Sequence, residues 1–433
     1  MTQTAQNKYY TTDDVHEKVI LVGIALNRIE ETQSSLDELG DLAATAGASV
    51  LGRLIQNREA PHPGTYLGKG KIEELSIMIK ELGADGVICD DELSPAQMAN
   101  LSEALDVKVM DRTLLILDIF AQRASTREGK IQVELALLRY RATRLVGFGR
   151  AMSRLGGGIG TRGPGETKLE MDRRLIKERI SHLKKELAEV VAHREVARKQ
   201  RSKNPVPVAA IVGYTNAGKS TLLNTLTNAG VLEEDKLFAT LDPTTRSLVL
   251  ESGQQILLTD TVGFIRKLPH HLINAFRSTL EEARYADMII HMVDASNPQM
   301  ETQMQVVYDT LRQLDITDKT VITAFNKMDV VRAQKTADTG TPQNDTLLLR
   351  DPNARAVVYI SAKDAGTLTA LTGTIERILR EQRVYVEHLF DYRDASKIAL
   401  IRKYGQLLEE EYTDKGIFVK AYVPAEVYAT LDL

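Results

Sequence analysis

The feature that most constrains this chain is the segment GYTNAGKS at 213–220, which follows the apolar run 208–212 and precedes a helical pattern at 220–227. It matches GxxxxGK[ST], in which glycines let backbone N–H groups turn around phosphates and the helix N-terminus adds its dipole. In that arrangement Lys219 meets the β- and γ-phosphates, and the Ser220 hydroxyl is placed to ligate Mg²⁺. The sequence therefore predicts a P-loop nucleotide domain built on a parallel sheet.

Three more motifs follow the P-loop, and each comes directly after an apolar run that is typical of a buried strand. They are DTVG at 260–263, NKMD at 326–329 and SAK at 361–363. Ligands of open α/β sheets bind at the carboxyl ends of the strands, so we expect all four loops at one edge of the sheet. In DTVG, the Asp260 carboxylate can hold Mg²⁺ through water, and the Gly263 amide can contact the γ-phosphate.

The NKMD motif indicates which base is bound. The Asp329 carboxylate can accept hydrogen bonds from both N1–H and the 2-amino group of guanine, whereas adenine offers neither donor. A site built around such a buried hydrogen bond rejects the other base by roughly 10⁴ or more. With Ser361, Ala362 and Lys363 forming a loop near the base, we expect GTP as the substrate and Mg²⁺ as the cofactor.

The segment that covers the γ-phosphate must offer a threonine, and residues 237–246 offer three. Thr240 is the favoured Mg²⁺ ligand, with Thr244 and Thr245 as alternatives. The residue after DTVG is Phe264, where Ras-type GTPases carry a glutamine that orients the attacking water. Because a phenyl ring has no donor or acceptor, we expect slow intrinsic turnover that a partner stimulates. The predicted catalytic set is Lys219, Thr240 and Gly263.

At 433 residues the chain is long for one domain, and its patterns divide it into four. The predicted fold class is α/β and multidomain. The domains are an N-terminal parallel α/β domain (17–115), a long antiparallel helical hairpin (116–204), a P-loop GTPase domain (205–381) and a small C-terminal α+β domain (382–433).

Patterns within these domains predict their elements. In 17–115, short apolar runs alternate with helical patterns, which is typical of βαβ units on a parallel sheet, and no phosphate loop occurs there. In the last domain, 384–390 and 416–423 are predicted strands, with a helix over 394–412 between them. Residues 333–354 are polar and rich in Thr, Asp, Asn and Pro, so we expect an exposed insertion loop in the GTPase domain.

The hairpin is predicted from two long helical patterns, 131–155 and 166–199. The segment 156–165 between them holds six glycines and a proline, so we expect a flexible loop at the tip. This loop is longer than a reversal of direction requires, which favours a functional probe. The tip carries basic residues that are candidate RNA contacts: Arg154, Arg162 and Lys168.

Charge is unevenly distributed along the chain. Residues 123–203 carry 21 Lys and Arg against 9 Asp and Glu, a balance of +12, whereas the net charge is −4 and the remainder must carry −16. Such polarisation favours a polyanionic partner for the basic segment. The single Cys89 excludes an intramolecular disulfide, and no apolar stretch approaches the ~18 residues of a membrane span. We therefore expect a protein of the reducing cytoplasm, with no membrane span.

Together, GYTNAGKST (213–221), FATLDPTTR (238–246), DTVGF (260–264) and NKMD resemble the HflX family, in the Obg–HflX branch of translation-factor-related GTPases. The resemblance extends to TYLGKGK (65–71) and GGGIGTRGPGETKLE, and so covers nearly the whole chain. It implies GTP hydrolysis, binding to the large ribosomal subunit, and splitting or rescue of stalled ribosomes, in a stress response. It also implies that the glycine-rich tip reaches toward ribosomal RNA, and we expect a monomer when bound.

The motifs and the resemblance together predict the nucleotide contacts. These are Gly213, Tyr214, Thr215, Asn216, Ala217, Gly218, Lys219, Ser220, Thr221, Phe238, Ala239, Thr240, Leu241, Asp242, Asp260, Thr261, Val262, Gly263, Asn326, Lys327, Met328, Asp329, Ser361, Ala362 and Lys363.

Two alternatives to a ribosome-binding switch stay open on the sequence. The chain could be a nucleotidase whose N-terminal domain also binds ATP and remodels RNA, although 17–115 shows no phosphate loop. It could also be a switch that docks on a non-ribosomal protein. Binding of labelled ATP to the N-terminal segment tests the first, and binding that survives high salt without a response to ribosomes would favour the second.

Overall fold

The computed structural model describes residues 17–26, 28–153, 164–201, 206–227, 237–238, 243–267, 282–339, 349–431 and 433. These residues fall into two compact units. The first holds the described residues up to 119 and those within 137–179, and the second holds those within 120–136 and 180–433. In the described ranges, no helix combines the length and the apolar character needed to cross a membrane.

The first unit contains a four-stranded, fully parallel sheet in the order β2-β1-β3-β4. Strands and helices alternate as the apolar pattern predicts, and Ser94 caps α3 in a capping box with Gln97. The predicted parallel α/β architecture of this region is confirmed. The elements are β1 (Lys18–Ala25), α1 (Ile29–Thr45), β2 (Ser49–Asn57), α2 (Lys69–Leu82), β3 (Gly86–Cys89), α3 (Pro95–Leu105), β4 (Lys108–Asp111) and α4 (Arg112–Arg123), the last of which continues into the second unit at residue 120.

Two long helices, α5 (Arg127–Ser153) and α6 (Pro164–Arg201), lie in the region of the predicted hairpin. In the second unit the start of α5 lies against the later half of α6. There the Arg127 guanidinium donates to Glu186 at 2.8 Å, and Arg194 lies 3.0 Å from Glu128. The expected loop over 156–165 is wrong in its last two residues, because Pro164 begins α6: proline fits the first turn of a helix, where its missing N–H costs nothing.

The main sheet of the second unit has six strands in the order β10-β9-β8-β5-β7-β6. Five run parallel and β6 pairs antiparallel with β7. Buried apolar side chains from β5, β7 and β8 pack against α7 and α10 to form its core. The elements are β5 (Val208–Gly213), α7 (Lys219–Thr227), β6 (Thr244–Val249), β7 (Gln255–Asp260), β8 (Met288–Asp294), α8 (Met300–Gln313), β9 (Thr320–Asn326), α9 (Met328–Thr339), β10 (Ala356–Tyr359) and α10 (Ala365–Glu381).

The predicted helix over 394–412 is wrong in its second half. The structure has a short helix and then a third strand: β11 (Val384–Phe390), α11 (Ala395–Tyr404), β12 (Gln406–Thr413), β13 (Gly416–Val423) and α12 (Ala425–Leu431). Gly405 is extended and ends α11. The Glu409–Glu411 run is locally compatible with helix, but antiparallel pairing of β12 with β13 decides its conformation.

The predicted exposed loop over 333–354 is also corrected at both ends. Helix α9 continues to Thr339, and residues 340–348 lie outside the described ranges. At the other end, the Asp351 side chain is buried and accepts hydrogen bonds from Tyr308 and Thr323, each at 2.6 Å. A polar composition is typical of an exposed loop, but a polar side chain can be buried when its hydrogen bonds are satisfied.

Candidate nucleotide site

The six-stranded sheet brings the four motif loops to one edge. The P-loop follows β5, DTVG follows β7, NKMD follows β9 and SAK follows β10. These four strands are parallel, so their carboxyl ends lie side by side. The edge is therefore the place where an open α/β sheet binds a ligand.

The P-loop backbone depends on small residues. Asn216 and Gly218 have φ values of 61° and 92°, in the left-handed region. A Cβ on Gly218 would overlap the side-chain amide of Asn326, and a Cβ on Gly213 would overlap the Met292 carbonyl of β8. The glycines thus let the loop approach NKMD and the neighbouring strand closely.

Lys219 lies at the start of α7 and is 7% exposed. Its Nζ donates to the Tyr214 carbonyl at 2.9 Å, which holds the ammonium inside the loop. Burial lowers the pKa of Lys219 to about 8, and the nearby Asp260 carboxylate opposes that shift. A buried ammonium in this loop fits the predicted contact with phosphate oxygens.

The two predicted magnesium-binding side chains contact each other. Ser220 Oγ donates to Asp260 Oδ2 at 2.8 Å, and Asp260 is fully buried. The Thr261 hydroxyl donates to the Ile211 carbonyl at 2.8 Å, fixing the start of the loop after β7. A hydroxyl and a carboxylate are oxygen donors of the kind that Mg²⁺ takes, so these residues fit that ion.

The predicted base-binding loops are joined through Asn326. Its Nδ2 donates to the Ala217 carbonyl and its Oδ1 accepts from the Ala362 amide, each at 2.8 Å. The Asp329 carboxylate accepts a hydrogen bond from Ser361 Oγ at 2.8 Å. NKMD, SAK and the P-loop are therefore one hydrogen-bonded assembly.

Family models match most of the chain. Residues 33–121 match "GTP-binding GTPase N-terminal", 123–201 match "GTP-binding GTPase Middle Region", and 208–327 match "50S ribosome-binding GTPase". The GTPase HflX of Lacrimispora saccharolytica is 64% identical over 418 residues, which is 96% of each chain. This chain belongs to the HflX family of GTPases. It is accordingly a GTP hydrolase.

A second relative agrees with HflX membership. The GTPase HflX of Caldanaerobacter subterraneus is 49% identical over 411 residues, covering 95% of this chain and 92% of that one. Among solved structures, the crystal structure of SsGBP with GDP is 26% identical, with a TM-score of 0.47, over 83% of this chain and 98% of that one.

Several predicted residues of this HflX family member fall outside the described ranges: Ala239, Thr240, Leu241, Asp242, Arg154 and Arg162. Lys168 falls within α6. The alternatives to Thr240 lie in β6, where Thr244 pairs with Asp260 and the Thr245 hydroxyl lies 3.0 Å from that of Thr259. Thr240 as the Mg²⁺ ligand stays a prediction.

The other residues predicted to contact the nucleotide differ in how exposed they are and where they lie. Asn216 and Lys363 are exposed at the edge, whereas Thr215 and Val262 are buried in the loops and Met328 lies at the start of α9. Phe238 is buried and packs edge-to-face on Phe120, with ring centroids 4.6 Å apart.

Sequence reasoning missed two partners of the site. Asp294, at the end of β8, lies 2.7 Å from Lys327 Nζ and so holds the NKMD lysine. The signal was available, because Asp294 ends a seven-residue strand that is mostly apolar, like the other motif strands. The second is the Arg266 amide, which donates to the Tyr214 hydroxyl at 2.9 Å and has no sequence signature.

Proposed function

We propose that this chain is a GTP-operated switch that binds the large ribosomal subunit, as a monomer, and splits or rescues stalled ribosomes. The match of 208–327 to a family described as 50S ribosome-binding GTPase is the observation that carries the proposal. GTP orders the segments around Thr240 and Gly263 and favours the subunit-binding conformation, and hydrolysis releases the protein.

The charge distribution supports RNA as the surface that is bound. The basic excess lies in 123–203, the region of α5 and α6, within a chain of net charge −4. Lysines and arginines that contact RNA phosphates release counterions, so binding weakens as salt rises. The tip between α5 and α6 is proposed to act at the RNA centre through Arg154, Arg162 and Lys168.

Magnesium is part of the proposed chemistry. Ser220 and, through water, Asp260 would hold Mg²⁺, which neutralises charge on the β- and γ-phosphates when it is bound. Lys219 contributes a second positive charge from its buried position. Phe264 is 2% exposed and has no polar side-chain atom, which supports a water-orienting group supplied by the ribosome.

Sedimentation of ribosomes tests the proposal. Whole ribosomes mixed with the protein and a non-hydrolysable GTP analogue should separate into subunits, with the protein in the large-subunit fraction. With GDP the protein should stay at the top of the gradient. Co-sedimentation that is equal with GDP and with the analogue, or none with either, would contradict it.

A variant of the predicted tip loop tests whether binding to the large subunit can be separated from ribosome splitting. Because α6 begins at Pro164, the change is confined to residues 156–163, which are replaced by a short Gly-Ser linker. We expect subunit binding to persist and splitting to be lost. A matched control replaces the same number of residues within 340–348. Unchanged splitting by the tip variant would refute the role of the tip.

A further inference from the structure

The segment 237–246 is predicted to cover the γ-phosphate, and its start is held by an aromatic contact. The Phe238 ring packs edge-to-face on the Phe120 ring, with centroids 4.6 Å apart. Both rings are buried, and so is the preceding Leu237. The start of the segment is therefore packed inside the protein.

The backbone of Phe238 is in an unusual conformation. Its φ is 56°, in the left-handed region, where the Cβ of an L-residue crowds the neighbouring carbonyl and bulky side chains are uncommon. Such a conformation persists where the surrounding structure holds it, and switch segments are among the places where it recurs. Packing against Phe120 accounts for a conformation that a free phenylalanine would leave.

The chain between Phe238 and Thr244 is held at its other end as well. Thr244 begins β6 and pairs with Asp260 of β7. Two residues span at most about 7 Å, so an anchored Phe238 restricts the positions open to Thr240, the predicted Mg²⁺ ligand. A short segment with both ends fixed has less conformational freedom to lose when a ligand orders its middle.

Phe120 comes from outside the P-loop domain predicted at 205–381. It lies on α4, in the region that matches "GTP-binding GTPase N-terminal". A phenyl ring can ligate neither a phosphate nor Mg²⁺. Any effect of Phe120 on the nucleotide would therefore act through Phe238.

We propose that Phe120 is a positioning residue for GTP hydrolysis, whose ring anchors Phe238 and so preorganises the segment that carries Thr240. The inference rests on the proposed ordering of that segment by GTP. Preorganisation raises affinity by reducing the ordering that binding requires. GDP lacks the phosphate that the segment covers, so its affinity does not depend on the anchor.

The substitution Phe120→Leu tests the anchor, because it removes the ring and keeps most of the volume. An aromatic pair contributes roughly a two- to tenfold factor. The affinity for a β,γ-imido GTP analogue, and kcat/KM for GTP hydrolysis without ribosomes, should each fall by about that factor while GDP affinity stays parental. Phe390→Leu, at a buried phenylalanine of β11, is the matched control and should leave all three values unchanged.

A second variant removes the other ring. Phe238→Leu should lower the ratio of analogue to GDP affinity as Phe120→Leu does, and the double variant should lower it no further, because the two rings form one interaction. A merely structural loss would lower GDP affinity too, and the two effects would add. A parental ratio in either folded variant, or parallel losses of both affinities, would overturn the proposal.

The substitution Thr240→Ala separates the anchor from the ordering on which it rests. It should lower the same ratio of affinities. If it does so and Phe120→Leu does not, the anchor is wrong and the ordering of the segment by GTP stands. If neither substitution changes the ratio, both are wrong.

Discussion

Asn326 and Ala217 are joined by a hydrogen bond of 2.8 Å, from the side-chain amide of the first to the carbonyl of the second. The bond links residues 109 positions apart in the chain. Through the Ala362 amide on its other side, Asn326 joins the NKMD and SAK loops to the P-loop. The asparagine of NKMD thus acts through hydrogen bonds to the protein itself, which hold these loops together.

Asn326→Asp should weaken GDP and GTP binding together. The carboxylate keeps the acceptor for Ala362 but loses the donor, and it faces the Ala217 carbonyl with like charge. One lost buried hydrogen bond costs about 1–3 kcal/mol, which corresponds to roughly 5- to 150-fold in affinity. Equilibrium titration with labelled GDP and GTP measures the two affinities. Asn100→Asp, on α3, is the control, and a variant with parental affinity would contradict the role given to Asn326.

Asp329→Asn should change the preferred base. Xanthine carries a carbonyl in place of the 2-amino group of guanine, so the asparagine amide can donate where the carboxylate accepted. We expect GTP affinity to fall by roughly 10⁴-fold and xanthosine triphosphate to become the better ligand. Competition titration reports the ratio, with Asp315→Asn as the control. Retained preference for GTP would mean that Asp329 does not contact the base.

Asp351→Asn should destabilise the GTPase unit at neutral pH. Burial raises the pKa of Asp351, but hydrogen bonds from Thr323 and Tyr308, together with the His291 ring 3.9 Å away, outweigh it, so the pKa lies well below its usual range. The variant weakens charge-assisted hydrogen bonds, and we expect a loss of about 1–3 kcal/mol in unfolding free energy, measured by urea denaturation.

The pH dependence of that loss has a definite sign. A depressed carboxyl pKa stabilises the fold above the unfolded value of about 3.9, and this contribution disappears as pH falls below it. Burial also lowers the pKa of His291, so stability is lost as pH falls through about 6.5, where the unfolded histidine protonates first. The difference in unfolding free energy between the parent and Asp351→Asn should shrink below about pH 4. A difference that grows there would contradict a depressed pKa for Asp351.

Phe120→Ala should destabilise the second unit more than Phe120→Leu does. Phe120 meets Phe238 edge-to-face, and both rings are buried. Loss of a buried ring costs about 3–5 kcal/mol, whereas leucine keeps most of the volume and loses mainly the aromatic pairing, about 0.5–1.5 kcal/mol. Urea unfolding followed by circular dichroism compares the two. Equal effects of the two substitutions would show that ring packing is not what holds Phe238.

The motif strands were predictable because their signals are local. A buried apolar run followed by a glycine-rich or acidic turn defines β5, β7 and β9 without knowledge of any partner. The strand β12 was missed because its Glu409–Glu411 run is compatible with helix and only pairing with β13 makes it extended.

Site details that depend on distant residues were not predictable. The Tyr214–Arg266 bond joins a P-loop residue to a backbone amide 52 positions away, and no residue type at 266 encodes it. Asp351 likewise lies in a polar segment, and its burial follows from Tyr308 and Thr323 on other elements. Periodicity reports which side of an element is apolar, whereas these contacts arise from tertiary packing.

The most direct test of the account is GTP turnover by the purified chain, alone and with large ribosomal subunits, at low and moderate salt. We predict slow turnover alone, because Phe264 supplies no group to orient water, and strong stimulation by subunits that fades as salt rises. A rate that large subunits leave unchanged at either salt concentration would contradict the ribosome-operated switch.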